Sequence, residues 1–281
     1  MMRKKTQRFD PRQTMHREDY EIFHYHDAKI EDVPLHHHDF YEVYYFLSGT
    51  VDYLVEGISY TLLPGDLLLI SPMDLHRPLV APGEGYERIV LWIDAAYLDS
   101  LLPSGELRAC FESGRRLYRS AHTSVPQLME RLGEAFAMQS TPADGLCSRG
   151  LFLQLMAELL HLTTGRGESA GGDVSVPPLV QEALRYIAEN YREELSLDAL
   201  ATRFFVSKYH LSHSFRDAVG VSVYRYILLK RLQNAKQRLS AGEAPGEVCR
   251  ACGFQNYTNF YRAFRQLYGL SPQEAQEKQA G

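Results

Sequence analysis

Disulfide chemistry is the first thing this sequence has little means for. It has four cysteines in 281 residues (Cys110, Cys147, Cys249, Cys252), too few and too scattered for a disulfide framework. Cys249 and Cys252 form a lone C-x-x-C. A zinc or redox site needs a second pair or a thioredoxin-like context, and neither is present. The pair therefore reads as small side chains packed inside a helical segment. Long apolar runs are also missing, which excludes a membrane-spanning helix. The N-terminal stretch MMRKKTQRFDPRQ is basic, but no apolar stretch follows it as a secretory signal would require. The expected location is the cytoplasm.

The chain is long enough for two domains, and its 45% hydrophobic and 23% charged residues are those of an ordinary globular protein. A net charge of −5 weighs against nucleic-acid binding only when averaged over the whole length. Leu179 to Gly281 carries 14 Lys+Arg against 10 Asp+Glu, and the remainder carries 16 against 25. One half is basic and the other acidic, so each half is expected to have its own partner.

The boundary between the halves is written at 163–178, TTGRGESAGGDVSVPP, a glycine- and proline-rich stretch that reads as a flexible linker. Residues 1–19 read as a mobile basic arm. From Tyr20 to about Asp94 the runs are short and rich in β-branched and aromatic residues. Ser48-Gly49, Glu56-Gly57 and Pro64-Gly65-Asp66 punctuate them, so a small barrel or sandwich is predicted. Leu98 to Leu162 turns helical. Leu128, Leu132, Ala135 and Phe136 mark one apolar face, and Leu151, Leu155, Leu159 and Leu162 another. These helices either complete the core of the β unit or form a dimer interface; an amphipathic stripe favours the core.

After the linker every segment is helical, and one pattern occurs twice at a separation of 49 residues. Ser207, Leu211, Phe215, Arg216, Gly220 and Ser222 match Asn256, Phe260, Phe264, Arg265, Gly269 and Ser271. Each copy has a capping side chain, two apolar residues four apart, a basic residue and a glycine stop. Ser196 and Ser222 are further candidate caps. With Leu200, Ala201 and Phe204 on a preceding short helix, the first copy has helix-turn-helix character; Val248 and Cys249 do the same for the second. This arrangement leaves Lys208, Tyr209, Ser212, His213 and Arg216 outside in the first unit. In the second it leaves Tyr257, Thr258, Asn259, Tyr261, Arg262 and Arg265. Arg262 suits a guanine edge, Asn259 suits adenine or a phosphate, and Arg216 and Arg265 suit phosphates. The segment Val223 to Ser240 would hold the readers at the separation of adjacent grooves, about 34 Å. The plainer alternative, a helical bundle with solvated charges, fits one such stretch better than two in register.

On these residues the C-terminal half resembles the DNA-binding domain of the AraC/XylS family of bacterial transcription regulators. The resemblance covers LSLDALATRFFVSKYHLSHSFRDAVGVSVYRYI, KRLQNAKQRL and EVCRACGFQNYTNFYRAFRQLYGLSPQE. It implies base contacts at Tyr209, Ser212 and His213, and at Tyr257, Thr258 and Arg262. His213 stands where the family often has Arg, and Tyr257 where it often has a smaller polar residue.

In the acidic half, His36, His38, Glu42 and Gly49, followed by Pro64-Gly65-Asp66 and His76, resemble the cupin motif pair. Ile30 stands where that motif has glycine. The implied architecture is multi-domain: an N-terminal cupin-like β-barrel with trailing helices (20–162) and a C-terminal all-α double helix-turn-helix domain (179–281). His36, His38, Glu42, Tyr44 and His76 are the expected pocket lining; His37 has the opposite parity and is expected outside. Three imidazoles and a carboxylate suit Zn, Mn, Fe or Ni. On a straight strand Glu42 would stand about 13 Å from His38, so sharing an ion requires a bend near Asp39. The set reads first as a metal-free polar pocket, then as a metal site, and last as histidines that merely satisfy local structure; no cofactor is required.

The leading functional reading is a transcription regulator, expected to be a homodimer, that binds double-stranded DNA. It would respond to a small-molecule effector, with a sugar or related metabolite as the implied class. A metal-dependent cupin enzyme with an accessory DNA domain is the alternative, though no further acid–base constellation supports catalysis. A protein-binding scaffold is the third.

Overall fold

The computed structural model describes residues 13–27, 33–81, 85–165 and 176–277. The chain divides into two compact units, Met1–Ser175 and Val176–Gly281.

Among its described residues the first unit has eight strands: β1 (Tyr20–Asp27), β2 (Tyr41–Ser48), β3 (Val51–Val55), β4 (Ile58–Thr61), β5 (Asp66–Ile70), β6 (His76–Val80), β7 (Tyr86–Ile93) and β8 (Leu117–Arg119). They form a five-stranded sheet in the order β1-β7-β2-β5-β8 and a three-stranded sheet, β4-β3-β6, with every pairing antiparallel. Both faces of the larger sheet are covered, which explains why β2 is buried from Tyr41 to Phe46. Tyr41, Val43 and Tyr45 join one core cluster, while Tyr44 and Phe46 join the other, between the sheets. This is the cupin-like layout.

Four helices follow: α1 (Ala95–Leu101), α2 (Glu106–Glu112), α3 (Val125–Ala137) and α4 (Pro142–Thr164). Leu128, Leu132, Leu155 and Leu159 are buried in the same cluster as Val43, Leu67, Leu69 and Leu91. The inner stripes therefore complete the core, each such leucine contributing roughly 1.5–3 kcal/mol of burial. One element departs from the helical expectation for 98–162. Leu117–Arg119 is a strand that extends the sheet beyond β5, where Arg119 pairs with Asp66. Three residues are too few to leave a periodic signal.

The expected mobile arm falls mostly on residues 1–12, outside the described residues. Residues 16–19 are tied down: the His16 and Arg17 amides donate to Glu21 (2.5 and 2.9 Å), and Arg17 donates to Asp19. The linker expected at 163–178 begins later than its composition suggested. Thr163 and Thr164 end α4, donating their hydroxyls to the Leu159 and Leu160 carbonyls, and residues 166–175 lie outside the described residues.

The second unit is α5 (Pro178–Asn190), α6 (Leu197–Arg203), α7 (Lys208–Val219), α8 (Val223–Ser240), α9 (Pro245–Ala251), α10 (Tyr257–Tyr268) and α11 (Pro272–Glu277). Ser196, Ser207, Ser222 and Asn256 each accept from helix-start amides, at 3.1, 3.1, 3.2 and 2.8 Å for the nearest. Gly220 and Gly269 end α7 and α10 in the left-handed conformation. Leu211 and Phe215 are buried in the first half of this unit; Phe260 and Phe264 are buried in the second with Leu232, Val248, Cys249 and Cys252. Cys249 and Cys252 are free buried thiols within that core, and burial pushes Cys252 up to about 11. Among the described residues no helix is long and apolar enough to cross a membrane.

Candidate functional site

The candidate DNA-reading surface is built from two short helix pairs on either side of α8. α6 packs on α7, and α9 packs on α10. Leu211 and Phe215 turn α7 inward, so Lys208, Tyr209, His213 and Arg216 lie exposed and Ser212 is half-buried. On α10 the inward Phe260 and Phe264 leave Tyr257, Thr258, Asn259, Arg262 and Arg265 exposed, while Tyr261 is half-buried. The two faces differ in chemistry. In the first, Lys208 is paired with Asp198, and His213 lies 3.3 Å from Asp217 while stacking on Tyr209. In the second, the Arg265 guanidinium leans on the Tyr261 hydroxyl at 3.4 Å, and the Tyr257 ring meets Phe260 edge-on.

Beside the second reader, between α8 and α10, lies a cleft of about 870 Å³ whose lining includes Arg192, Arg231, Arg250 and Arg262, with Glu194 the acid among them. Arg231 donates to the carbonyls of Tyr191 (2.8 Å) and Glu193 (2.7 Å), fixing the α5–α6 connection to α8. Arg192 and Arg250 were not among the residues expected to meet DNA. Neither belongs to a reading helix, so only tertiary packing brings them beside Asn259 and Arg262. A cluster of guanidiniums on this side suits the phosphate backbone.

In the first unit the chain bends at Asp39–Phe40 before β2 begins, and the bend folds His38 back over Glu42. His38 Nε2 lies 3.2 Å from Glu42 Oε2, and His38, Glu42 and His76 hold ligand atoms within 4.8 Å of one another, all three residues buried. Glu42 also accepts from the Trp92 indole N–H (2.9 Å), its register partner on β7, and its carboxylate lies beside the Tyr53 phenol. Burial and the adjacent Glu42 carboxylate hold the Tyr53 phenol well above its ordinary range. Trp92 and Tyr53 escaped the sequence reading because they reach Glu42 from other strands.

His36 departs from the expected four-ligand set. A backbone bridge pairs it with His76, and their ring centroids lie 4.2 Å apart. Its nitrogens, however, are not in the group of donors that lie within 4.8 Å of one another. Its Nδ1 faces the Pro34 carbonyl at 2.8 Å, and burial, with His38 beside it, pushes it down to about 4. His37 also departs from expectation: it is buried. Parity governs a strand, and residues 36–38 precede β2, so alternation does not apply to them. Tyr44 lies on the inner face, where its hydroxyl is bonded to that of Tyr86 and its ring meets Tyr53 edge-on. Arg88, buried, stacks over Tyr86 and Tyr25 and pairs with Asp27.

The model of the AraC-like ligand binding domain matches residues 20–167, and a helix-turn-helix domain model matches residues 200–278. The chain belongs to the AraC/XylS family. Its relatives include the HTH-type transcriptional activator RhaS of Escherichia coli O139:H28, 27% identical over 257 residues, covering 89% of this chain and 90% of that protein. RhaS of Escherichia fergusonii is 27% identical over 252 residues, covering 87% of each. Among solved structures, the C-terminal domain of AraT, a response regulator from Geobacillus stearothermophilus, is 25% identical. It covers 37% of this chain and 88% of that one with a TM-score of 0.36. ToxT from Vibrio cholerae O395 is 13% identical, covering 94% of this chain and 100% of that one with a TM-score of 0.37. This AraC/XylS member is a DNA-binding transcription regulator with a small-molecule sensing domain, and its relatives are regulators, not enzymes.

The unequal faces of α7 and α10 give a direct expectation. Arg262→Ala should lower discrimination against a mismatched base at its subsite by about tenfold, and Ser212→Ala by less. Fluorescence anisotropy on matched and mismatched duplexes at fixed salt measures both. Equal losses would count against this ranking.

Proposed function

We propose that this regulator acts in the cytoplasm as a homodimer whose inner barrel face binds a carbohydrate-like effector, and that binding changes its affinity for promoter DNA. Glu42 is the observation that carries the reading. A buried carboxylate ringed by Trp92, Tyr53, His38 and His76 offers both polar partners and aromatic faces, the combination that a polyhydroxylated ring requires. An effector acts only if it favours one arrangement of the chain over another. Anisotropy on promoter DNA across a panel of pentoses, hexoses and their acids tests this. At least one should move the apparent Kd by about fivefold or more, within the usual range of coupling between sites. No response across the panel would remove the carbohydrate assignment.

The DNA-contacting residues of this reading are Lys208, Tyr209, Ser212, His213 and Arg216 on α7, with Tyr257, Thr258, Asn259, Arg262 and Arg265 on α10. The homodimer rests on α4. Its inner face packs in the core through Phe152, Leu155 and Leu159, yet Leu146 and Leu153 lie 69% and 49% exposed on the outer face. Gly150 and Ala157 continue that outer stripe at spacings of four and three residues. A helix apolar on both sides is one that a partner covers, and the like stripe of a second copy fits it.

A divalent metal at the same site is the second reading, and the donor set fits one. His38 Nδ1 faces the Phe40 carbonyl (2.9 Å) and His76 Nδ1 the Asp74 carbonyl (2.8 Å). In the tautomer with the proton on Nδ1, each ring would donate to that carbonyl and leave its Nε2 lone pair for a metal, the orienting contact that metal-binding histidines use. His76 Nε2 is buried without a hydrogen-bond partner. Zn, Mn, Fe or Ni would be held by His38, Glu42 and His76 and would supply a Lewis-acidic anchor for effector oxygens. Elemental analysis of the purified chain should then find about one equivalent, lost in His76→Ala and kept in His36→Ala. Substoichiometric metal in the wild type would end this reading.

A further inference from the structure

The two helix-turn-helix units are not copies at the turn. Through α6 and α9 the residues correspond at a separation of 48: Leu200 with Val248, and Ala201 with Cys249. Through α7 and α10 the separation is 49, so the second turn is one residue longer. In both units the chain leaves the first helix through a left-handed residue that donates three residues back. Phe205 donates to Thr202 (3.2 Å) at φ +54°, and Gly253 donates to Arg250 (3.0 Å) at φ +80°. The next amides repeat the match, Val206 to Ala201 and Phe254 to Cys249, both at 3.0 Å.

In the second unit that left-handed residue is glycine, and the backbone of Arg192 covers it. In the first unit it is phenylalanine, and its side chain is 96% exposed. A bulky L-residue is disfavoured at positive φ, and this one gains almost no burial in return. A strained position of this kind points to a role outside its own fold.

We propose that Phe205 is a DNA contact of the first reader, resting on the DNA-binding reading above. The turn leads directly into Ser207, the cap of α7, and the N-terminal end of a reading helix is the end that enters the major groove. The chain entering that helix passes the groove wall, where a phenyl ring meets deoxyribose carbons and, at an A·T pair, the thymine methyl. Basic residues flank it: Arg203, exposed and resting on the Tyr186 ring, stands two residues before, and Lys208, paired with Asp198, stands three after, with Tyr209 exposed next to it. Phe205 is thus an apolar contact in a basic setting, and it adds affinity that salt does not screen.

Two substitutions in the full chain test this, because strain and contact move in opposite directions. Phe205→Gly removes both: the melting temperature should rise by a few degrees while affinity for promoter DNA falls about fivefold or more. The slope of affinity against salt should stay unchanged, since no charge is lost. Phe205→Tyr keeps the ring and should bind within about twofold of wild type. Phe205→Gly binding DNA as tightly as wild type would overturn the proposal and leave the DNA-binding reading intact, the ring then serving a protein partner or none. A lower melting temperature in Phe205→Gly would overturn the strain argument. A wild-type chain that cannot distinguish promoter from bulk DNA would overturn both readings.

Discussion

Gly253→Ala is expected to disable the second reader more completely than loss of any single base contact. Gly253 holds φ +80°, and a Cβ built there would lie 2.6 Å from the Arg192 carbonyl oxygen and 3.0 Å from its carbonyl carbon and Cα. The obstacle is backbone, so no side-chain rotation relieves it. That backbone is also held from behind, because Arg231 grips the carbonyls on either side of Arg192. The left-handed conformation alone costs an alanine about 1–2 kcal/mol, and the overlap brings the total to about 2–4 kcal/mol. Gly269→Ala is the internal control. It has a similar φ of +72°, but nothing lies within 4 Å of the added carbon, so it should cost only the conformational part. In thermal melts of the full chain, Gly253→Ala should fall well below Gly269→Ala. On a duplex carrying both subsites its affinity should drop on the order of a hundredfold, toward that for the first subsite alone. Native melting and binding in Gly253→Ala would show that the α9–α10 turn tolerates displacement and does not set the geometry of the two readers.

The same turn shows where sequence reasoning succeeded and where it stopped. The repeat from Ser207 to Ser222 and from Asn256 to Ser271 was legible because capping, inward packing and helix termination are local, and each leaves a residue type at a fixed spacing. All four expected caps accept from helix-start amides. The one-residue slip before the second helices was not legible, since the repeated pattern begins at the caps and carries nothing about the turn. Left-handed geometry at Gly253 has a natural signature in glycine; at Phe205 it has none.

In the sensing unit the strand boundaries follow from β-branched and aromatic runs, and the bend at Asp39 follows from the distance that Glu42 would otherwise keep from His38. The partners of Glu42 do not follow. Trp92 reaches it because β2 pairs with β7 in that register, and Tyr53 reaches it across the two sheets. Register is a tertiary quantity. His37 failed for the related reason that alternation was carried past the end of the strand into the loop before β2.

If the proposed α4 homodimer forms, Leu153→Asp, alone or with Leu146→Asp, is expected to leave the regulator monomeric without unfolding it. Both side chains stand on the outer face of α4, while Phe152, Leu155 and Leu159 hold the opposite face in the core. A charge placed at an exposed position leaves fold stability within about 0.5 kcal/mol. Placed in a paired seam, it buries two carboxylates against each other across the two-fold axis, which costs several kcal/mol per dimer. The consequence on DNA is larger than on the protein. In the proposed dimer, two chains joined by α4 would bind neighbouring sites with the second event intramolecular, an advantage of roughly 10²–10⁴ that a monomer would forfeit. Sedimentation of the wild type at micromolar concentration should give a dimer, and the variant a monomer with an unchanged melting temperature. On a duplex with two sites the variant should bind at least about a hundredfold more weakly, and on a single site within about threefold of wild type. A variant that remains dimeric would move the interface off this stripe. A wild type that sediments as a monomer and binds paired sites independently would remove the dimer from the mechanism, leaving the two unequal readers of one chain to recognise an asymmetric site alone.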